Sequence, residues 1–176
     1  MKNEITDLYA VRGAKLRQLA TGDLGRAAAL QEIIFQHLAD PSWYVASTVE
    51  EMDEVIGRGE TFGFFAGETL VGYAAYSPWH ARGDEAYARK LGEPAENTFD
   101  VRDMLTHPRY RRRGIQSAFL RLFEEIARAL GGRAMYATID PKNAPSIAGF
   151  EKAGFVLFKT QPAYDGRLRG YFKKEL

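Results

Sequence analysis

The segment from Met104 to Leu120, Met-Leu-Thr-His-Pro-Arg-Tyr-Arg-Arg-Arg-Gly-Ile-Gln-Ser-Ala-Phe-Leu, holds the residues whose types and spacing most readily imply chemistry. A short apolar run, Val101 to Thr106, halts at His107-Pro108, where the proline ring bars helical continuation. Four arginines, at 109, 111, 112 and 113, then lead to Gly114. Beyond it Ile115, Phe119, Leu122, Ile126 and Leu130 recur at three- and four-residue steps, the period of a helix, which Gly131-Gly132 should end. The arrangement is therefore strand, basic glycine loop, helix amino terminus. Amides of a first helical turn have no intrahelical acceptor, and the helix dipole adds partial positive charge there. Such a junction suits a phosphate or pyrophosphate. It is neither a P-loop, which needs Gly-Lys-Ser/Thr after a four-residue gap, nor a dinucleotide fingerprint, which needs three glycines.

Arg111-Arg112-Arg113-Gly114-Ile115-Gln116 resembles the acyl-CoA loop of the GNAT superfamily of N-acyltransferases, whose pattern is Gln/Arg-x-x-Gly-x-Gly/Ala entered through x-Pro-x-Tyr-Arg. Pro108, Tyr110, Arg111 and Gly114 match, and Gln116 departs where glycine or alanine is usual. Downstream, Asn143-Ala-Pro-Ser146-Ile-Ala-Gly-Phe150-Glu151-Lys152-Ala-Gly154-Phe155 resembles the family element Asn-x-x-Ala-x-x-x-Tyr-Glu-Lys-x-Gly-Phe. As residues alone, this stretch reads as a short helix with Asn143 near its start, Pro145 in the first turn and Gly154 just past its end. The resemblance is close over Phe99 to Lys159 and holds only in outline before that.

The resemblance implies acetyl-CoA as co-substrate, with no metal. It places the pyrophosphate on the loop Arg111, Arg112, Arg113, Gly114, Ile115, Gln116 and Ser117, the pantetheine arm on Met104, Leu105, Thr106 and Asn143, and Phe150 beside the thioester. Ser146, one helical turn after Asn143, could face the cofactor or solvent. It also implies that the Met104 amide stabilises the thioester oxyanion, a place for a preorganised donor. Asn143 could equally be only a helix cap, Ser117 only a first-turn residue, and Met104 and Leu105 only core. Lys142 and Lys152 could reach a 3′-phosphate or simply face solvent.

Amide formation sets its own demands. A primary amine of pKa near 10.4 is about 3.4 units too protonated at pH 7, which costs roughly 4–5 kcal/mol for the neutral nucleophile. A carboxylate near the acceptor would remove that proton. Asp100 falls where some family members carry a glutamate base. Asp103 should alternate to the other strand face, and His107 sits at the loop entrance. Many relatives carry at position 150 a tyrosine that protonates the departing sulfur, and Phe150 cannot. A thiol of pKa ~8.5 leaves as thiolate at a penalty of only about 1–2 kcal/mol, so the loss is tolerable. Tyr136 or Tyr164 could replace the acid, or be ordinary packing. Trp43, Tyr44, Trp79 and Tyr87 fall in segments that would flank an acceptor, or pack under loops.

The elements that must position these groups read as one α/β domain over residues 14–176, after a loose tail at 1–13. Lys15 to Ala20 reads as a strand and Asp23 to Leu38 as a helix. Thr48 and Glu51 form a capping box for a second helix with Met52, Val55 and Ile56 inward, stopping near Gly57. Thr61–Ala66 and Thr69–Tyr76 make a hairpin about Gly67-Glu68. Residues 79–97 read as a polar insertion, a possible acceptor-site lid with a helix over Glu85–Leu91. Strands follow at Phe99–Thr106, Arg133–Ile139, Phe155–Lys159 and Leu168–Lys173. The order resembles that of a GNAT fold, which implies a mixed, mostly antiparallel sheet of six to seven strands, helices on both faces and a splayed parallel pair.

The chain has 176 residues, 45% hydrophobic, enough for a substantial core. A net charge of +1 argues against a generally polyanionic partner, although the arginine cluster taken alone could be a nucleic-acid patch. Zero cysteines exclude disulfides and a cysteine acyl-enzyme, so transfer would be direct. No leader or membrane-length apolar run is evident, which suggests the cytoplasm and no membrane partner. The expectation is an N-acetyltransferase acting on a small-molecule amine, monomeric or homodimeric. A non-catalytic acyl-CoA sensor and an acetyltransferase of protein amino termini or lysines are the alternatives.

Overall fold

Strand β1 (Lys15–Gln18) hands the chain to helix α1 (Leu24–Gln36) through a short turn organised by Asp23. These are the first regular elements among the described residues of the computed structural model, which are Val11, 13–164 and 166–176. The Asp23 carboxylate accepts both guanidinium nitrogens of Arg17, at 2.6 and 2.8 Å, and the Ala20 amide at 3.0 Å. Arg17 holds its carboxyl well below the usual range, helped by the Ala20 amide and Arg26. The capping box is formed as expected. Thr48 Oγ1 accepts the Glu51 amide at 3.1 Å, Glu51 returns to the Thr48 amide at 2.8 Å, and α2 (Val49–Gly57) begins there. Strands β2 (Thr61–Ala66) and β3 (Thr69–Pro78) form the hairpin, with Gly67 at φ +59° in its turn.

The expected lid is more structured than one helix. It holds α3 (Trp79–Arg82), a 3-10 turn at Gly83–Glu85 and α4 (Tyr87–Lys90), shorter than the helix expected over Glu85–Leu91. Then follow β4 (Thr98–Thr106), α5 (Ile115–Ala129), β5 (Ala134–Ile139), α6 (Ala144–Lys152), β6 (Val156–Ala163) and β7 (Arg167–Glu175). The seven strands lie in the order β1-β2-β3-β4-β5-β7-β6. Pairing is antiparallel for β1–β2, β2–β3, β5–β7 and β6–β7, and parallel for β4–β5. That parallel register runs from Thr98 against Ala134 to Val101 against Ala137.

The chain clusters into two compact units. The first holds the described residues up to Ala75, with Asp103–Phe119. Its core gathers Leu19, Ala27, Leu30 and Ile34 with Met52, Ile56, Phe65, Leu70, Tyr73 and Leu105. Burial of this kind stabilises by roughly 1.5–3 kcal/mol per large side chain. The second unit holds Tyr76–Arg102 and Leu120–Leu176. Here Ala86, Tyr87, Ala88 and Ala95 from the insertion pack on Ala134, Tyr136 and Tyr171. These four residues anchor the 79–97 segment in the core of this unit.

One expectation is corrected. Leu130 is 61% exposed and lies past the helix, because α5 ends one residue earlier in a Schellman turn. Gly132 N donates to Ala127 O at 2.7 Å and Gly131 N to Arg128 O at 3.0 Å, with Gly131 at φ +76°. Of the expected tail at 1–13, residues 1–10 and 12 lie outside the described residues, and Val11 is buried and bridges Ala14.

Candidate functional site

The glycine loop belongs to the first unit, and its entrance is tied to β3 by the His107 amide, which donates to Val71 O at 2.9 Å. Pro108–Tyr110 forms one 3-10 turn. His107 Nδ1 accepts the Arg109 amide at 3.2 Å, and Tyr110 N donates to His107 O at 2.8 Å. Arg113 lays its guanidinium over the Tyr110 ring, 4.6 Å from the centroid. The backbone then turns through left-handed geometry twice, at Arg112 (φ +60°) and Gly114 (φ +86°), before α5 begins. Arg111, Arg112, Arg113, Gly114 and Ser117 are exposed, Gln116 is half-buried, and Ile115 is anchored in the interior. The Ala118 amide makes its helical bond to Gly114 O at 2.9 Å, so the amides ahead of it belong to the first turn, which has no intrahelical acceptors. No heavy atom lies within 4 Å of where a Cβ on Gly114 would stand. Open space, exposed arginines and first-turn amides fit a pyrophosphate. His107 is pushed below its ordinary value by burial and by Arg109, His37 and Arg111, so it is neutral at pH 7.

Strand β4 enters this unit at Asp103, which stands at φ +46° inside the strand. The regular alternation expected there is broken, and Arg102, Asp103 and Met104 are all half-buried in succession. A non-glycine residue in this region is strained and needs fixing by its surroundings. Asp103 Oδ1 accepts Ser47 Oγ at 2.7 Å and Tyr44 O–H at 3.5 Å. Gln31 of α1 holds the same loop, donating to Ser47 O at 2.9 Å and accepting the Ser47 amide and the Tyr44 hydroxyl. Burial and the Asp103 charge push the Tyr44 phenol well above its usual value, so it stays a neutral donor. Tyr44 and Asp103 were both candidates, and the fold brings them together. Gln31 and Ser47 carry no motif and could not be found from sequence. Trp43 and Thr106 are half-buried and Leu105 is in the core.

Asp100 belongs to the second unit and is 1% exposed. Its carboxylate accepts the Tyr87 amide at 3.1 Å and Arg82 Nε at 3.3 Å, which ties α3 and α4 to β4. Burial pushes the Asp100 carboxyl up to about 7, against the pull of Arg82 and the Tyr87 amide. Arg82 had no sequence signal, since it lies in an irregular insertion. Trp79 packs on the core of this unit, edge-on to His80.

Asn143 caps α6, its Oδ1 accepting the Ser146 amide at 3.2 Å, and both side chains are half-buried. Phe150 is buried against Phe155, ring centroids 5.1 Å apart, within the Schellman turn that ends α6. Phe155 N donates to Phe150 O and Gly154 N to Glu151 O, at 3.1 and 2.9 Å. Tyr136 donates its hydroxyl to Glu93, and burial with Glu93 pushes it up to about 12. Tyr164, at φ +55°, shares hydrogen bonds with Tyr87 O–H at 2.9 Å and Thr138 Oγ1 at 2.8 Å. Lys142 and Lys152 are exposed. Among the described residues, no group of three or more His, Asp or Glu side chains could hold a metal ion, and no helix is long and apolar enough to cross a membrane.

Residues 27–155 match the sequence profile of the acetyltransferase (GNAT) family. No curated protein matches the chain. Solved structures resemble it over nearly their whole length. A GNAT-family acetyltransferase from Streptococcus pneumoniae superposes with a TM-score of 0.69 at 19% identity, covering 93% of this chain and 99% of its own. YncA from Salmonella typhimurium, solved with its cofactor acetyl-CoA, gives 0.64 at 20% identity, covering 93% and 94%. The ribosomal-protein-alanine N-acetyltransferase from Brucella melitensis gives 0.67 at 21% identity, covering 92% and 99%.

Proposed function

The chain belongs to the GNAT acetyltransferase family, and from that premise we propose that it moves the acetyl group of acetyl-CoA to a primary amine of a small molecule by direct attack in a ternary complex. The observation that carries the acyl-CoA part is the Gly114 junction, a left-handed glycine with open space ahead of it at the start of a fifteen-residue helix. In this reading the amides from Arg113 to Ser117 hold the pyrophosphate, with Arg111 and Arg112 supplying charge. The Met104 amide polarises the thioester carbonyl, and Leu105 and Thr106 continue the backbone contacts along the pantetheine arm. Asn143 and Ser146 meet that arm from α6, and Phe150 packs beside the thioester.

Asp100 takes the proton of the ammonium. A carboxyl pushed up to about 7 matches a base working at neutral pH, and its burial means that the proton reaches it through water. The amine nitrogen bonds to the acetyl carbon, the carbon–sulfur bond breaks as CoA leaves as the thiolate, and the second nitrogen proton, acidic once the nitrogen is bonded to carbon, passes to water. Phe150 can donate no proton, and a thiolate needs none at a cost of about 1–2 kcal/mol. In this reading Trp43 and Tyr44 of the first unit contact the acceptor. A small acceptor is favoured by the segment 79–97, which is pinned at Ala86, Tyr87, Ala88 and Ala95 and held through Asp100 and Glu93.

The decisive experiment incubates the protein with acetyl-CoA and a panel of metabolite amines, aminoglycosides and peptides, reading free thiol and product mass. Acetylated small amines are expected. Acetylation of peptides alone would move the acceptor to protein. Acetyl-CoA binding without thiol release from any acceptor would make the chain a sensor, the reading that Phe150 favours.

A further inference from the structure

Outside the groups used above, Asp140 and Arg169 are the acid and base the fold buries most deeply as a pair, at 7% and 2% exposure. Their place in the sheet gives the pair a meaning. The antiparallel register of β5 and β7 closes at Ile139 opposite Gly170, and one further step sets Asp140 opposite Arg169. Arg169 Nη1 donates to Asp140 Oδ2 at 3.1 Å across that step. The other oxygen, Oδ1, accepts the Lys142 amide at 2.8 Å, and the Asp140 carbonyl accepts the Asn143 amide at 2.9 Å. Pro141 fixes φ between them. The chain therefore leaves the sheet at one defined residue and turns at once into Asn143, the cap of α6.

A buried ion pair is a poor source of stability, because desolvation offsets its attraction, and registry is its best-attested use. Here one carboxylate joins a sheet position on β7 to the backbone turn that sets the start of α6. We propose that Asp140 and Arg169 are positioning residues for the acetyl-CoA side of the reaction, holding the first turn of α6 so that Asn143 and Ser146 meet the pantetheine arm. This rests on the acetyl-CoA reading given above. Arg169 touches no reacting atom and works through Asp140 and the 140–143 turn.

The test compares Arg169→Met, Arg169→Lys and Asp140→Asn with the wild type in acetyl-CoA titrations and steady-state kinetics. Arg169→Met should raise the KM and Kd for acetyl-CoA about tenfold, with kcat at saturating acetyl-CoA and the acceptor KM within about twofold of wild type. Arg169→Lys, which keeps the charge, should recover most of the loss. Asp140→Asn keeps an acceptor for the Lys142 amide and should fall between them, so it serves if Arg169→Met does not fold. Folded variants with wild-type acetyl-CoA KM would overturn the positioning role, as would equal losses in kcat and in both KM values. Absence of acetyl-CoA binding by the wild type would instead overturn the function itself.

Discussion

At the scale of the residue, the two carboxylates of β4 stand in opposite environments three positions apart. Asp100 is enclosed and pushed up to about 7, while Asp103 is half-buried and accepts two hydroxyls. Asp100→Asn should lower kcat by about 10²-fold at neutral pH. In the wild type, kcat/KM should rise with pH through about 7, as the Asp100 carboxyl loses its proton and can act as base. That limb should vanish in the variant, and the deficit should narrow at high pH where free amine is abundant. Acetyl-CoA affinity should barely change, and Asp103→Asn should affect kcat little. An intact limb with unchanged kcat in Asp100→Asn, measured on protein shown to be folded, would remove Asp100 from proton transfer.

At the scale of the element, helix starts are set by single side chains. Removing the Thr48 cap with Thr48→Ala should cost about 1 kcal/mol, seen in urea denaturation, because the Glu51 amide loses its acceptor. Asp23 is a stronger case, since its carboxylate gathers Arg17, Arg26 and the Ala20 amide ahead of α1. Its folded pKa is depressed, chiefly by Arg17, so its contribution is complete above the unfolded value of about 3.9 and is lost as pH falls below it. Asp23→Asn should therefore destabilise by about 1–3 kcal/mol at pH 7. The gap from wild type should narrow steadily as pH falls from about 4 toward 2. A gap that stays constant over that range would mean that packing, not charge, holds this turn.

For the whole molecule, ligand binding should appear as global stability. Acetyl-CoA at a hundred times its Kd should add about 2.7 kcal/mol. For a domain of this size that is roughly 5–10 °C in thermal midpoint. Gly114→Glu should abolish the gain, because its side chain and negative charge would enter the pyrophosphate path. Gly114→Ala separates this from backbone strain: it carries the same cost of φ +86° but its Cβ meets nothing within 4 Å. It should lower the apo midpoint while retaining much of the acetyl-CoA shift. Full stabilisation of Gly114→Glu would place the pyrophosphate elsewhere.

What the sequence determined by itself is what neighbours along the chain can enforce. Pro108 stops a strand, Gly114 and the period from Ile115 start a helix, Thr48 with Glu51 caps another, and Gly154 ends α6. Turn geometry and helical period are local, so a short window of residues suffices, and two such windows carried the family resemblance. Tertiary structure alone decided the partners. Asp100 meets Arg82 across 18 positions, Asp140 meets Arg169 across 29, and Asp103 meets Ser47 across 56. No period or spacing encodes those encounters, and each depends on where the sheet brings distant strands and loops together. The kink at Asp103 was hidden for the same reason: an aspartate has no local need of φ +46°, and only its lodging against Ser47 and Tyr44 holds it there.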